Sequence, residues 1–119
     1  MAQTASTMML PLGAKAPSFL LVDPSGRRWS LADFDGSATL LVAFICSHCP
    51  FVKHVRSGFA SLAADHQKRG AAVVAIASND AQAYPEDGPQ GMAAEAREAG
   101  YTFPYLFDET QEVAKAYGA

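Results

Sequence analysis

The sequence predicts one α/β domain with parallel strands, and three observations carry the prediction. Two short, nearly unbroken apolar runs, 39–45 (TLLVAFI) and 71–77 (AAVVAIA), have the length and unalternating composition of strands buried on both faces. The segment between them places apolar residues at 51, 52, 55, 59, 62 and 63, which is helical spacing. The chain is 119 residues long and half hydrophobic, enough for one core and too apolar for disorder. Strand, helix and strand of these lengths form a βαβ unit, whose crossover is expected to be right-handed.

The remaining elements follow in chain order. Residues 1–15 read as a leader, and 16–119 as the domain. The apolar segment 18–22 and residues 27–31, with Trp29, read as a β-hairpin closed by Asp23-Pro24-Ser25-Gly26, with proline and glycine where a tight turn favours them. Asp35-Gly36 marks another turn. Pro50 suits the first turn of the central helix, and Lys68-Arg69-Gly70 its C-terminus. Beyond the second strand, 84–89 (YPEDGP) is a turn-rich loop and 90–99 a short helix with a weak small-residue face. Residues 103–107 read as a brief strand that Pro104 assigns to an edge or a bend. Asp108 is expected to cap a last helix, with Gln111 as its capping-box partner and Val113, Ala114 and Tyr117 as its apolar face.

Composition excludes several functions. The charge is −3 and there is no basic run, so nucleic acid is not an expected partner. No apolar stretch approaches the roughly 20 residues of a membrane span. The N-terminus has no cationic region before its short apolar run, which gives no signal peptide and a cytoplasmic expectation. Two cysteines cannot staple a mini-protein.

Those cysteines, in Cys46-Ser47-His48-Cys49, carry the chemistry. They fall between a strand and a helix start, at the carboxyl end of a parallel strand, where open α/β sheets hold their sites. Unpaired N–H groups and the positive end of the helix dipole stabilise a thiolate there, and protonated His48 adds to this. A thiolate attacks disulfides and peroxides, and a second cysteine two residues removed can resolve the product. The competing reading is a metal site, with His54 or His66 joining Cys46 and Cys49, although helical spacing puts His54 on a different face from Cys49. Lys53 and Arg56, in the first turns of the helix, are either anion-holding groups or a solvated face. Asn79 and Asp80 end the second strand on the side of Cys46, as site-lining residues or as plain turn residues. Phe44, Phe51 and Trp29 read as core. No P-loop, G-x-G-x-x-G, H-E-x-x-H or G-x-S-x-G motif occurs.

From about Leu10 to the end, the sequence resembles the thioredoxin-like superfamily, and most of all the peroxiredoxin-like branch of the alkyl hydroperoxide reductase/thiol-specific antioxidant (AhpC/TSA) family. The resemblance rests on LPLG at 10–13 with APSF at 16–19, LLVAFI at 40–45, CSHCPFVKH at 46–54, ASND at 77–80 with YPED at 84–87, and FPYL at 103–106 with DETQ at 108–111. It implies a thioredoxin-like fold and thiol–disulfide or thiol–peroxide exchange, with no cofactor and no metal. Cys46 matches the attacking cysteine of thioredoxins and Cys49 the resolving one, with His48 and Pro50 in support. In peroxiredoxins a Thr or Ser stands three residues before the peroxide-attacking cysteine; here Cys46 holds that position and Cys49 the attacking one. Ile45 stands where thioredoxins usually carry Trp. The implied partners are a disulfide-bearing protein or a hydroperoxide, and a thioredoxin-type electron donor. The expected function is thiol–disulfide oxidoreductase, with thiol peroxidase and a non-catalytic redox-sensing or metal-binding module as alternatives. Relative to the family pattern the cis-proline loop, C-terminal β-hairpin and final helix are not found in this sequence, so the strand entering the cysteines is expected to have an open edge.

Overall fold

A computed structural model describes residues 10–47, 50–79, 82, 84 and 87–119. Among these residues, five strands and three α-helices follow the order β1 (Leu20–Val22), β2 (Arg28–Ser30), β3 (Thr39–Phe44), α1 (Pro50–Lys68), β4 (Ala71–Ala77), α2 (Pro89–Ala99), β5 (Tyr105–Phe107) and α3 (Glu112–Tyr117). They build one sheet in the order β2-β1-β5-β4-β3, parallel across β5, β4 and β3 and antiparallel at β1. Among the described residues no helix is long and apolar enough to cross a membrane.

The hairpin forms as its turn residues dictate. Gly26, at φ +91°, donates its N–H to the Asp23 carbonyl at 3.0 Å. The Asp23 carboxylate gathers the Ser25 and Arg27 N–H groups and the Trp29 indole N–H at 2.9, 3.1 and 3.0 Å. Burial alone would raise its pKa, but these hydrogen bonds prevail and hold it below the ordinary aspartate value. Trp29 stacks on Phe34, which belongs to a 3₁₀ turn, Leu31–Phe34, that the sequence did not announce. Asp33 supports that turn by accepting the Ser30 N–H at 2.7 Å.

β4 is the axis of the core. Val73, Ala75 and Ala77 face α1 and α2, packing with Ala63, Met92, Phe103 and Tyr105. Val74 and Ile76 face the other way, onto Phe19, Leu106, Trp29, Phe44 and Tyr117. Alternation along a strand separates the two sets. Gly70, at φ +94°, ends α1 as its position after Arg69 suggests.

The structure corrects several sequence expectations. β3 is not buried on both faces: Leu41 remains 47% exposed, and among the described residues β3 stands at the end of the sheet, where an open edge is expected. The apolar residues of α1 are not one inward face. Val52, Phe59, Ala60 and Ala63 turn inward, whereas Phe51 (64% exposed), Val55 and Leu62 turn outward. Phe51 is therefore not core. β5 is central rather than an edge: Pro104 precedes the ladder, where its missing N–H costs nothing, and its carbonyl still accepts from the Ala75 N–H at 3.0 Å. Asp108 does cap α3, accepting from the Val113 and Ala114 N–H groups at 3.3 and 2.9 Å, but the residue at the cap position is Gln111, at φ +64°. The Gln111 amide donates to the Ser78 carbonyl at 2.9 Å instead of closing a capping box.

Candidate functional site

The ladder between β3 and β4 runs one residue past the last strand position, through an Ile45 N–H to Ile76 carbonyl bond of 3.0 Å. Cys46 follows at once, at the carboxyl end of the parallel strand, and α1 opens at Pro50. Proline suits that position because the first helical N–H groups lack intrahelical partners. Cys46 is half-buried and lines a cavity of about 460 Å³. The walls near it are apolar, from Phe44, Ile45 and Val52, and Asn79, Gln111 and Lys115 supply polar groups. His48, Cys49 and Asp80 lie outside the described residues.

Two buried groups hold the peptide after Cys46. The Asp87 Oδ1 accepts the Ser47 N–H at 2.7 Å, and the Ser47 hydroxyl lies 3.2 Å from the Tyr105 hydroxyl. Ser47, Asp87 and Tyr105 are all buried. Burial pushes the Tyr105 hydroxyl far above its ordinary pKa; the Ser47 hydrogen bond opposes this, and the charges of Tyr101, Asp87 and Cys46 reinforce it. Tyr105 is accordingly a neutral phenol at every physiological pH.

A second buried acid anchors the far wall of the cavity. Asp108 accepts from the Ser78 hydroxyl at 2.8 Å and from the Val113 and Ala114 N–H groups of α3, and places its N–H on the Ala77 carbonyl at 2.8 Å. The ends of β4 and β5 and the start of α3 are thereby tied together beside Cys46. Tyr117 completes the docking of α3, packing against Phe44 and donating to the Pro17 carbonyl at 2.6 Å.

The other sequence candidates separate. Asn79 shares the Cys46 cavity. Lys53 does not; it is exposed on α1 and lines a cavity of about 320 Å³ on the Ser47 side. Arg56 is partly exposed and pairs within the chain, with Glu95 at 2.6 Å and Glu98 at 3.7 Å, joining α1 to α2. His54 and His66 are exposed, and His66 Nδ1 is 2.9 Å from the Leu62 carbonyl. Sequence reasoning missed Asp87 and Tyr105. Asp87 falls in a stretch whose composition signals only a turn, 40 residues from its partner.

The model of the AhpC/TSA family matches residues 12–119. The chain belongs to the AhpC/TSA family. A curated Mycobacterium tuberculosis relative, named provisionally as a peroxiredoxin, is 32% identical over 116 residues, which is 98% of this chain and 68% of that one. The crystal structure of an uncharacterized conserved protein from Geobacillus kaustophilus is 51% identical, with TM-score 0.91 over all of this chain and 63% of that one. The crystal structure of a peroxidoxin from Mycobacterium tuberculosis, at 20% identity, shares the fold with TM-score 0.73, over 89% of this chain and 64% of that one. This AhpC/TSA chain thus has a thioredoxin-like fold, and it spans less than two thirds of the two solved structures.

Proposed function

We propose that the chain carries a thiol–disulfide oxidoreductase site in which Cys46 and Cys49 are the redox pair. The observation that carries the reading is the place of Cys46: on the last turn of chain before α1, half-buried and lining a cavity. Membership of the AhpC/TSA family and a thioredoxin-like fold support it. In the proposed cycle one cysteine thiolate attacks a substrate disulfide, forms a mixed disulfide and expels one substrate thiolate. The other cysteine then attacks the mixed disulfide, closes the Cys46–Cys49 bond and releases the second thiolate. Two electrons pass to the substrate, and a thioredoxin-type dithiol returns them. His48 and Pro50 support the pair; Asn79 lines the Cys46 cavity, Asp80 follows it in sequence as a further candidate, and Lys53 lines the neighbouring cavity with Ser47. We take 16–119 as the domain that houses this site and 1–15 as a leader to it.

A second reading, thiol peroxidase, is favoured by the name of the mycobacterial relative. There the thiolate attacks the peroxide O–O bond, the alcohol or water leaves with a proton, and the resulting sulfenic acid condenses with the second cysteine, releasing water. Stopped-flow oxidation of the reduced protein by a hydroperoxide and by a model disulfide separates the two readings. The oxidoreductase reading expects faster reaction with the disulfide, loss of that reaction when the attacking cysteine is replaced by Ser, and arrest at the mixed disulfide when the other cysteine is replaced. Faster reaction with peroxide transfers the assignment to the peroxidase.

A further inference from the structure

We propose that Asp87 is a positioning residue for Cys46, holding the peptide that follows the cysteine and restraining the acidity of its thiol. The proposal rests on the reading of Cys46 as a working thiol. Asp87 is fully buried, in the segment between β4 and α2, and its own N–H is fixed on the Tyr84 carbonyl at 2.9 Å. Its Oδ1 takes the Ser47 N–H at 2.7 Å. The carboxylate is therefore bonded to the peptide group directly after Cys46, and turning the Cys46–Ser47 backbone breaks a charge-assisted hydrogen bond. Tyr105 holds the same residue from β5 through the Ser47 hydroxyl, at 3.2 Å. Two elements distant in sequence thus clamp one residue, and the cysteine beside it inherits the constraint.

The same carboxylate acts electrostatically. A negative charge one peptide away disfavours a second negative charge on Cys46, and the N–H it occupies is withheld from the thiolate. This opposes the stabilisation from the start of α1. The other described charged or titratable groups around the loop are Tyr105 on β5, Tyr101 before it, Lys115 on α3, Lys53 and Arg56 on α1, and Glu95 and Glu98 on α2, both of which Arg56 faces. Asp87 is the acid among them that touches the Cys46–Ser47 backbone.

The test reads the full chain without any redox partner, so its failure is distinct from failure of the exchange reaction itself. Amide hydrogen exchange at Ser47, and the pH midpoint of Cys46 alkylation in a Cys49→Ser background, are compared with Asp87→Asn. Asparagine keeps an acceptor for the Ser47 N–H and removes the charge. The proposal expects a protected Ser47 amide in the unsubstituted chain, retained in Asp87→Asn within about threefold, and an alkylation midpoint lowered by about half a pH unit or more. An unprotected Ser47 amide, or a midpoint that stays in place or rises, overturns it. Should Asp87→Asn not fold, Tyr105→Phe decides: it keeps the ring and removes only the hydroxyl bond. Continued Ser47 protection leaves Asp87 as the anchor, and loss of protection assigns the anchor to Tyr105 and overturns the proposal.

Discussion

β3 and β4 are neighbouring parallel strands of nearly the same composition, yet the structure treats them differently. Five of the seven residues of β4, Val73 to Ala77, are buried, whereas β3 leaves Thr39 and Leu41 exposed. The sequence reads both as strands needing cover on both faces. What separates them is position. β4 has β3 on one side, β5 on the other and side chains packed on both faces. β3 has one partner among the described residues, and on α1 Phe51, Val55 and Leu62 are exposed as well. Apolar composition thus selects a strand, while burial is conferred by neighbours that the local sequence does not contain.

The contrast can be broken by substitution. Ile76→Ala removes a fully buried side chain and is expected to cost about 2–5 kcal/mol in urea unfolding. Leu41→Ala is expected to cost about 1 kcal/mol or less, and an equal cost at both positions would erase the distinction between the strands. Next in size is Asp108→Ala, which strands the Ser78 hydroxyl and two N–H groups of α3. A loss of about 1–3 kcal/mol is expected, with accelerated hydrogen exchange in α3 and little change in α1.

The tyrosines of the core set an alkaline limit. Burial pushes the Tyr101 hydroxyl up to about 12, with the charge of Glu95 adding and that of Arg56 opposing, and Tyr105 is raised further. A folded-state value above the unfolded one, near 10, means this contribution is fully present below pH 10 and lost as pH climbs toward 12. Urea midpoints should therefore fall over that interval together with phenolate absorbance, and Tyr101→Phe should blunt the fall. The smallest effect belongs to the hairpin. Asp23 is depressed, so its contribution is present above the ordinary aspartate value and disappears as pH falls through the folded-state one. Asp23→Ala should cost about 1 kcal/mol at neutral pH and progressively less in acid, read from the stability difference between the two proteins.

The legible parts were those governed by local chemistry. The Asp23–Gly26 turn, the span of α1, the strand 71–77 and the place of Cys46 at the end of β3 all follow from residue type and spacing. Arg56 looked like a solvated cation because its partner, Glu95, is 39 residues away. Asp87 looked like a turn residue because aspartate has the same local signature whether its carboxylate meets water or a buried N–H. Pro104 signals an edge or a bend; the bend is present, at Phe103, whereas the central place of the strand is set by the pairing of Tyr105 with Ala75 on β4. The outward Phe51, Val55 and Leu62 misled the helical pattern because they too are apolar at helical intervals. Which stripe faces inward was decided by the positions of β4 and α2.

The central claim is that Cys46 and Cys49 form one two-electron redox pair. Equilibration of the full chain in glutathione buffers of graded potential, with acid quenching and alkylation of the remaining thiols, measures it directly. The account predicts a single transition in which both thiols vanish together, and an intramolecular Cys46–Cys49 disulfide in the peptide map. His48→Ala should shift that transition to a more reducing potential, by about 30 mV for each 1.4 kcal/mol of lost thiolate stabilisation. Two thiols that stay alkylatable across the whole range, or that end as separate mixed disulfides with glutathione, would contradict it.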